Sequence, residues 1–155
     1  MTHTPENRPR VRQLRVVVEA DDHEAAVTFY RNVLGMDEVA AFAEGGDDRV
    51  AILDAGRATL EIASPTHKAL IDRVEGVTEE SPRIRLAFEV DDSARTTGEL
   101  EAAGARVVAP PVLTPWRSLN ARLEAPADLQ ITVFQETVSP EQRSGLPGFD
   151  TDERR

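Results

Sequence analysis

The sequence predicts an α+β fold made of two βαβββ modules in tandem, and three observations carry that prediction. Strand-like runs of β-branched and apolar residues alternate with helical ones. The chain also repeats itself, because Arg15, Glu19, Asp21 and Asp22 recur as Arg85, Glu89, Asp91 and Asp92, each set running from a strand into a helix. Both helices then close on glycine, at Gly35 and Gly104. Strand, double aspartate, helix and terminal glycine in common register imply two copies of one supersecondary unit.

Residues 1–10 are polar, contain two prolines and read as a flexible tail. The first module spans 11–65. Its opening stretch LRVVVEA (14–20) has the β-branched, apolar character of a strand. Asp21 or Asp22 caps the helix HEAAVTFYRNVLG, on which Ala26, Phe29, Tyr30, Val33 and Leu34 share one face. DEVAAFAE, DRVAILDAG and ATLEIAS read as three short strands, separated by the turn residues GGDD (45–48) and by Ala55 and Gly56. Residues 66–82 connect the modules, and THKALIDRVE (66–75) is a short helix or loop.

The second module spans 83–137. RIRLAFEV is its first strand, Asp91 or Asp92 its cap and ARTTGELEAAG its helix. RVVAPPVL, SLNARLEA and LQITVFQE supply three more strands. In the last strands LEI (60–62) aligns with ITV (131–133), so Glu61 matches Thr132. The segment 138–155 mixes proline, glycine and charge and reads as a second flexible tail, with Leu146 and Phe149 available to dock on a neighbouring surface.

Composition narrows the function classes. With no cysteine in the chain, disulfides, cysteine-ligated zinc and thiol catalysis are excluded. A formal charge of −10 argues against a nucleic-acid partner. No apolar run approaches the roughly 18–20 residues that a membrane span needs. MTHTPENRPR lacks the apolar centre of a signal peptide. The expectation is a cytoplasmic protein with neither a nucleic-acid nor a membrane partner. His3, His23 and His67 match no metal-binding spacing, and no phosphate-cradling loop or nucleophile elbow appears.

FYRNVLGM (29–36), preceded by VEADDHEAAVT, resembles the first module of the vicinal oxygen chelate superfamily, which holds glyoxalase I, bleomycin-resistance proteins and extradiol dioxygenases. PWRSLNARLEAPADLQITVF resembles the end of its second module in degraded form, and the resemblance covers nearly all of 11–136. It implies paired modules whose mixed sheet curls around a cleft, commonly in a homodimer. It also implies a divalent metal held by one residue from each of four strands. The matching positions here are Arg15, Glu61, Arg85 and Thr132, and only Glu61 keeps a ligand-type side chain. Guanidinium has no lone pair to offer and stays protonated. It also repels a cation, since like charges 4 Å apart interact by roughly 4 kcal/mol at an effective dielectric of about 20. The expectation is therefore no metal and no other cofactor.

Because alternate strand residues share a face, the expected cleft holds Arg15, Glu19, Glu61, Arg85, Glu89 and Thr132, with Val16, Val18, Leu86 and Phe88 facing the helices. Trp116, the sole tryptophan, either lines the cleft and stacks on a flat ligand or packs at a module edge. Three readings of the arginines stand open. They form an internal salt-bridge network with the glutamates. One pairs with Glu61 while the other takes an anionic group of a ligand. Or Glu61, the only catalytic candidate, acts as acid or base beside an arginine. The preferred function is metal-independent binding of a small anionic or aromatic molecule, similar to the drug-sequestering, antibiotic-resistance branch of the family. The alternatives are a lyase, isomerase or dioxygenase and a structural or regulatory dimer.

Overall fold

A computed structural model describes residues 13–45 and 47–146. The tail expected at 1–10, His3 and Phe149 lie outside the described residues. Helix α1 (His23–Val27) runs on into a π-helical stretch, Thr28–Val33. A hairpin of β1 (Glu38–Gly45) and β2 (Asp48–Leu53) follows, then α2 (Pro65–Val74). The second half runs β3 (Leu86–Glu89), α3 (Ser93–Ala102), β4 (Arg106–Leu113), β5 (Ser118–Ala125), β6 (Leu129–Glu136) and α4 (Pro140–Ser144).

The second half is a βαβββ unit with strand order β3-β6-β5-β4. β3 runs parallel to β6, and the other pairs are antiparallel. The caps follow the sequence repeat. Of each aspartate pair the second is the cap, Asp22 accepting from the Ala25 amide and Asp92 from the Arg95 amide, both at 3.0 Å. Gly35 and Gly104 leave the helices with φ of +88° and +107°, a conformation that a side chain would oppose.

Period-two alternation gives the sheet two unlike faces. Ala121, Leu123, Ile131 and Val133 face the core, packing with Leu100 and Ala105 from the α3 region and with Phe29 and Tyr30 from the π-helical stretch. Leu86 and Phe88 lie against this cluster, as expected. The Tyr30 hydroxyl donates to the Pro126 carbonyl at 2.9 Å and ties the first helix to the β5–β6 turn. Ser118, Asn120, Arg122, Gln130 and Thr132 occupy the opposite face.

The first half departs from expectation. Residues 13–20 and 57–64 join no ladder, so the strands expected at LRVVVEA and ATLEIAS are absent. Val16 and Val18 do not pack on the helices, Val17 is 91% exposed and Ile62 87% exposed. The physical reason is that strand propensity describes a fit to a pleated surface. A strand also needs a neighbour for its backbone, and the described residues supply none here. The expected C-terminal tail also carries structure. Ser139 and Gln142 form a capping box at the start of α4, and the Arg143 side chain is buried beside Glu136, with Nη1–Oε1 at 3.3 Å.

Candidate functional site

The polar face of the sheet is covered by the end of α2. Pro65 at the first helical position, the Ser64 cap and the apolar spacing of Ile71 and Val74 make this segment a helix. Asp72 and Glu75 lie three positions apart, on neighbouring points of one helix surface. Both turn to Arg122 at the centre of β5, which is 0% exposed. Arg122 donates through Nε to Glu75 Oε2 at 3.0 Å, and a second contact joins its Nη2 to the same oxygen. Its Nη1 donates to Asp72 Oδ1 and to Gln130 Oε1, each at 2.9 Å. Asn120 Nδ2 donates to Glu75 Oε1 at 2.8 Å, and Ser81 Oγ to Asp72 Oδ2 at 2.6 Å.

Burial acts to raise the Asp72 pKa. The Ser81 and Arg122 hydrogen bonds, with the charges of Arg122 and Lys68, outweigh it and hold the carboxyl below the usual range.

Arg85 stands beside this network, just before β3. It is half-buried, and its Nη1 donates to the Thr132 hydroxyl, while Thr132 lies across from Arg122 on the neighbouring strand. Burial lowers the Arg85 pKa and so does the charge of Arg122, while Glu75, Glu61 and Asp72 oppose the shift. No carboxylate lies within 4.0 Å of its guanidinium nitrogens among the described residues.

Of the residues expected in the cleft, the structure brings Arg85 and Thr132 into contact and sets Glu61 within electrostatic reach of Arg85. Arg15 is exposed and forms no hydrogen bond or ion pair among the described residues, because 13–20 joins no sheet. Glu19 instead lines an open hollow of about 440 Å³ with Asp21, Asp22 and the β5–β6 turn. Glu89 is exposed at the far end of β3. Trp116 is half-buried in the β4–β5 turn, where the sheet ends at Ser118 and Glu136. That is four residues along β6 from Thr132, the partner of Arg85, or roughly 13 Å at strand rise.

Sequence reading missed Arg122, Asp72, Glu75, Asn120 and Gln130. The signal was present in SLNARLEA, where Ser118, Asn120, Arg122 and Glu124 alternate with Leu119, Ala121 and Leu123. That alternation sets Arg122 on the same face as Thr132.

The donor set does not suit a divalent cation. Among the described residues no three His, Asp or Glu side chains are placed to hold a metal ion, and a guanidinium occupies Thr132.

A family model described as a glyoxalase-like domain matches residues 15–134. No curated protein matches the chain. Among solved structures it is similar to a hypothetical protein from S. aureus, with a TM-score of 0.53 and 14% identity over 82% of this chain and 95% of that one. It is also similar to a glyoxalase-related enzyme from Fulvimarina pelagi (TM-score 0.49, 19% identity, covering 81% and 88% of the two chains). A third is a glyoxalase/bleomycin resistance protein/dioxygenase from Nocardioides (TM-score 0.42, 24% identity, covering 89% and 91%).

Proposed function

The chain belongs to the glyoxalase-like domain family of the vicinal oxygen chelate superfamily, and from that premise we propose that it binds a small anionic molecule without a metal, on the polar face of the sheet. The observation that carries this reading is Arg85: a half-buried guanidinium that donates to the uncharged Thr132 hydroxyl, with no carboxylate in ion-pair range among the described residues. Such a group keeps unused donors in a fork suited to carboxylate or phosphate. Calorimetric titration with small aliphatic and aromatic acids tests it. Charge-assisted hydrogen bonds contribute roughly 1.5–3 kcal/mol, so Arg85→Ala weakens a binding acid by about tenfold or more. Unchanged affinity overturns the reading. About one metal per chain surviving dialysis, read by mass spectrometry after incubation with zinc, nickel, manganese or ferrous iron, overturns its metal-free part.

A homodimer belongs to the same proposal. Val16, Val17, Leu60 and Ile62 stand exposed on chain that joins no ladder, and exposed apolar strips of this kind favour a covering partner. A second reading, a structural or regulatory protein, draws on the ion pairs between α2 and Arg122, which close the polar face. Saturable Arg85-dependent binding of an acid decides against it.

A further inference from the structure

We infer that α2 is a tethered stand-in for the ligand, its Asp72 and Glu75 carboxylates holding the Arg122 guanidinium that a compact dianion takes over on binding. The inference rests on the anion-binding reading above and names both the ligand class and the element that must move.

Three observations lead to it. Arg122 and Arg85 share one face, linked through Thr132, yet only Arg122 has carboxylates, one from the last turn of α2 and one from its C-cap, Glu75. The two acids sit three residues apart and present two negative charges to one guanidinium. A phosphate or a short dicarboxylate offers the same pattern in a free molecule.

The second observation is how α2 is held. Asp72 is the one buried residue within it, Ala69 and Leu70 are exposed, and Ile71 and Val74 are half-buried. Its backbone has little close packing with the strands. An element held by buried apolar area loses that area on leaving. One held mainly by ion pairs loses little when an anion replaces those pairs.

The third is slack. Residues 54–64 before α2 and 77–84 after it carry no helix or strand, so the helix can withdraw without breaking a ladder, taking the buried Val77 and Ser81, both bonded to Asp72, with it. Withdrawal uncovers Arg122, Asn120 and Gln130 beside Arg85 and Thr132, a floor rich in donors. A dianion that binds only this open form shifts the population toward it.

Hydrogen exchange on the full wild-type chain reads the movement directly. The probes are inorganic phosphate and malonate near neutral pH, with acetate at matched ionic strength as the monoanion control. The expected result is a several-fold faster exchange of the amides of 68–76 with phosphate or malonate and not with acetate. Whichever of the two acts identifies the ligand as a phosphate or a dicarboxylate. Calorimetry on Glu75→Gln, which weakens the internal competitor, is expected to show about tenfold tighter binding of the same probe. Binding by this variant alone also supports the inference, since wild-type α2 then holds the site shut. Arg85-dependent binding with unchanged exchange in 68–76 and no gain in Glu75→Gln overturns the role of α2 and leaves the anion-binding reading standing. No binding of phosphate or malonate by either protein overturns the inference, and the anion-binding reading is then decided by the titration with aliphatic and aromatic acids. If Glu75→Gln does not fold, the wild-type exchange measurement still decides.

Discussion

Arg122 on β5 and Glu75 just past α2 are 47 residues apart in sequence and meet as an ion pair whose side chains are 0% and 2% exposed. Asp72 adds a second carboxylate to the same guanidinium. Charges withdrawn from water to this degree are costly unless every one is matched.

Removing the guanidinium alone therefore has a large effect. Arg122→Met leaves two buried carboxylates without their partner, and loss of one side of a buried pair costs about 3–5 kcal/mol. Urea unfolding is expected to show a loss of that size. Adding Asp72→Asn and Glu75→Gln to the same chain is expected to recover much of it. A loss below about 1 kcal/mol in the single variant would show that water reaches the pair.

Asp72 makes stability depend on acid. Its folded pKa lies below the unfolded value of about 3.9. A depressed carboxyl contributes stability that is present above the unfolded pKa and is lost as pH falls through the folded one. Unfolding measured from pH 6 downward is expected to steepen below about pH 4 in wild type and to flatten in Asp72→Asn. Parallel curves would sink this assignment.

Tyr30 gives a second titration with a clean optical readout, since it is the only tyrosine in the chain. Burial pushes its hydroxyl up to about 12. A raised folded pKa contributes stability that is full below the unfolded value of about 10 and fades as pH rises toward 12. Absorbance near 295 nm, a phenolate band, is expected to stay flat through pH 10–11 in the folded protein and to rise near 10 in urea. Tyr30→Phe loses the bond to the Pro126 carbonyl, a cost of about 0.5–1.5 kcal/mol by thermal or urea unfolding.

Val17 and Ile62 test the proposed homodimer. Paired substitution by glutamate, Val17→Glu with Ile62→Glu, is expected to bring a sedimenting dimer down to the mass of one chain. A wild-type protein that already sediments as one chain would remove the dimer from the proposal.

The strands RVVAPPVL, SLNARLEA and LQITVFQE were legible to the residue, because alternation and turn chemistry agree there with ladders the chain itself completes. LRVVVEA was equally strand-like and forms no ladder, since local composition cannot register a missing neighbour. The site divides in the same way. Arg85 and Thr132 were visible from the internal repeat, and they do touch. The carboxylates of α2 were hidden in the segment between the repeats, where no second copy offered a comparison.

The parallel pairing of β3 with β6 bears on the order of assembly. Leu86 lies beside Ile131, so this contact closes a long loop that holds α3, β4 and β5. The antiparallel meander β4–β5–β6 closes through short turns and needs far less chain ordering before its contacts form. Nucleation then belongs to the meander with α3 against it, and β3 docks late along the reaction coordinate. Shortening Phe88 would accelerate unfolding while leaving the refolding rate nearly unchanged, the kinetic mark of a contact absent from the transition state. The guanidinium of Arg85, carried at the entrance to β3, would be among the last parts of the site to arrive and the first to leave.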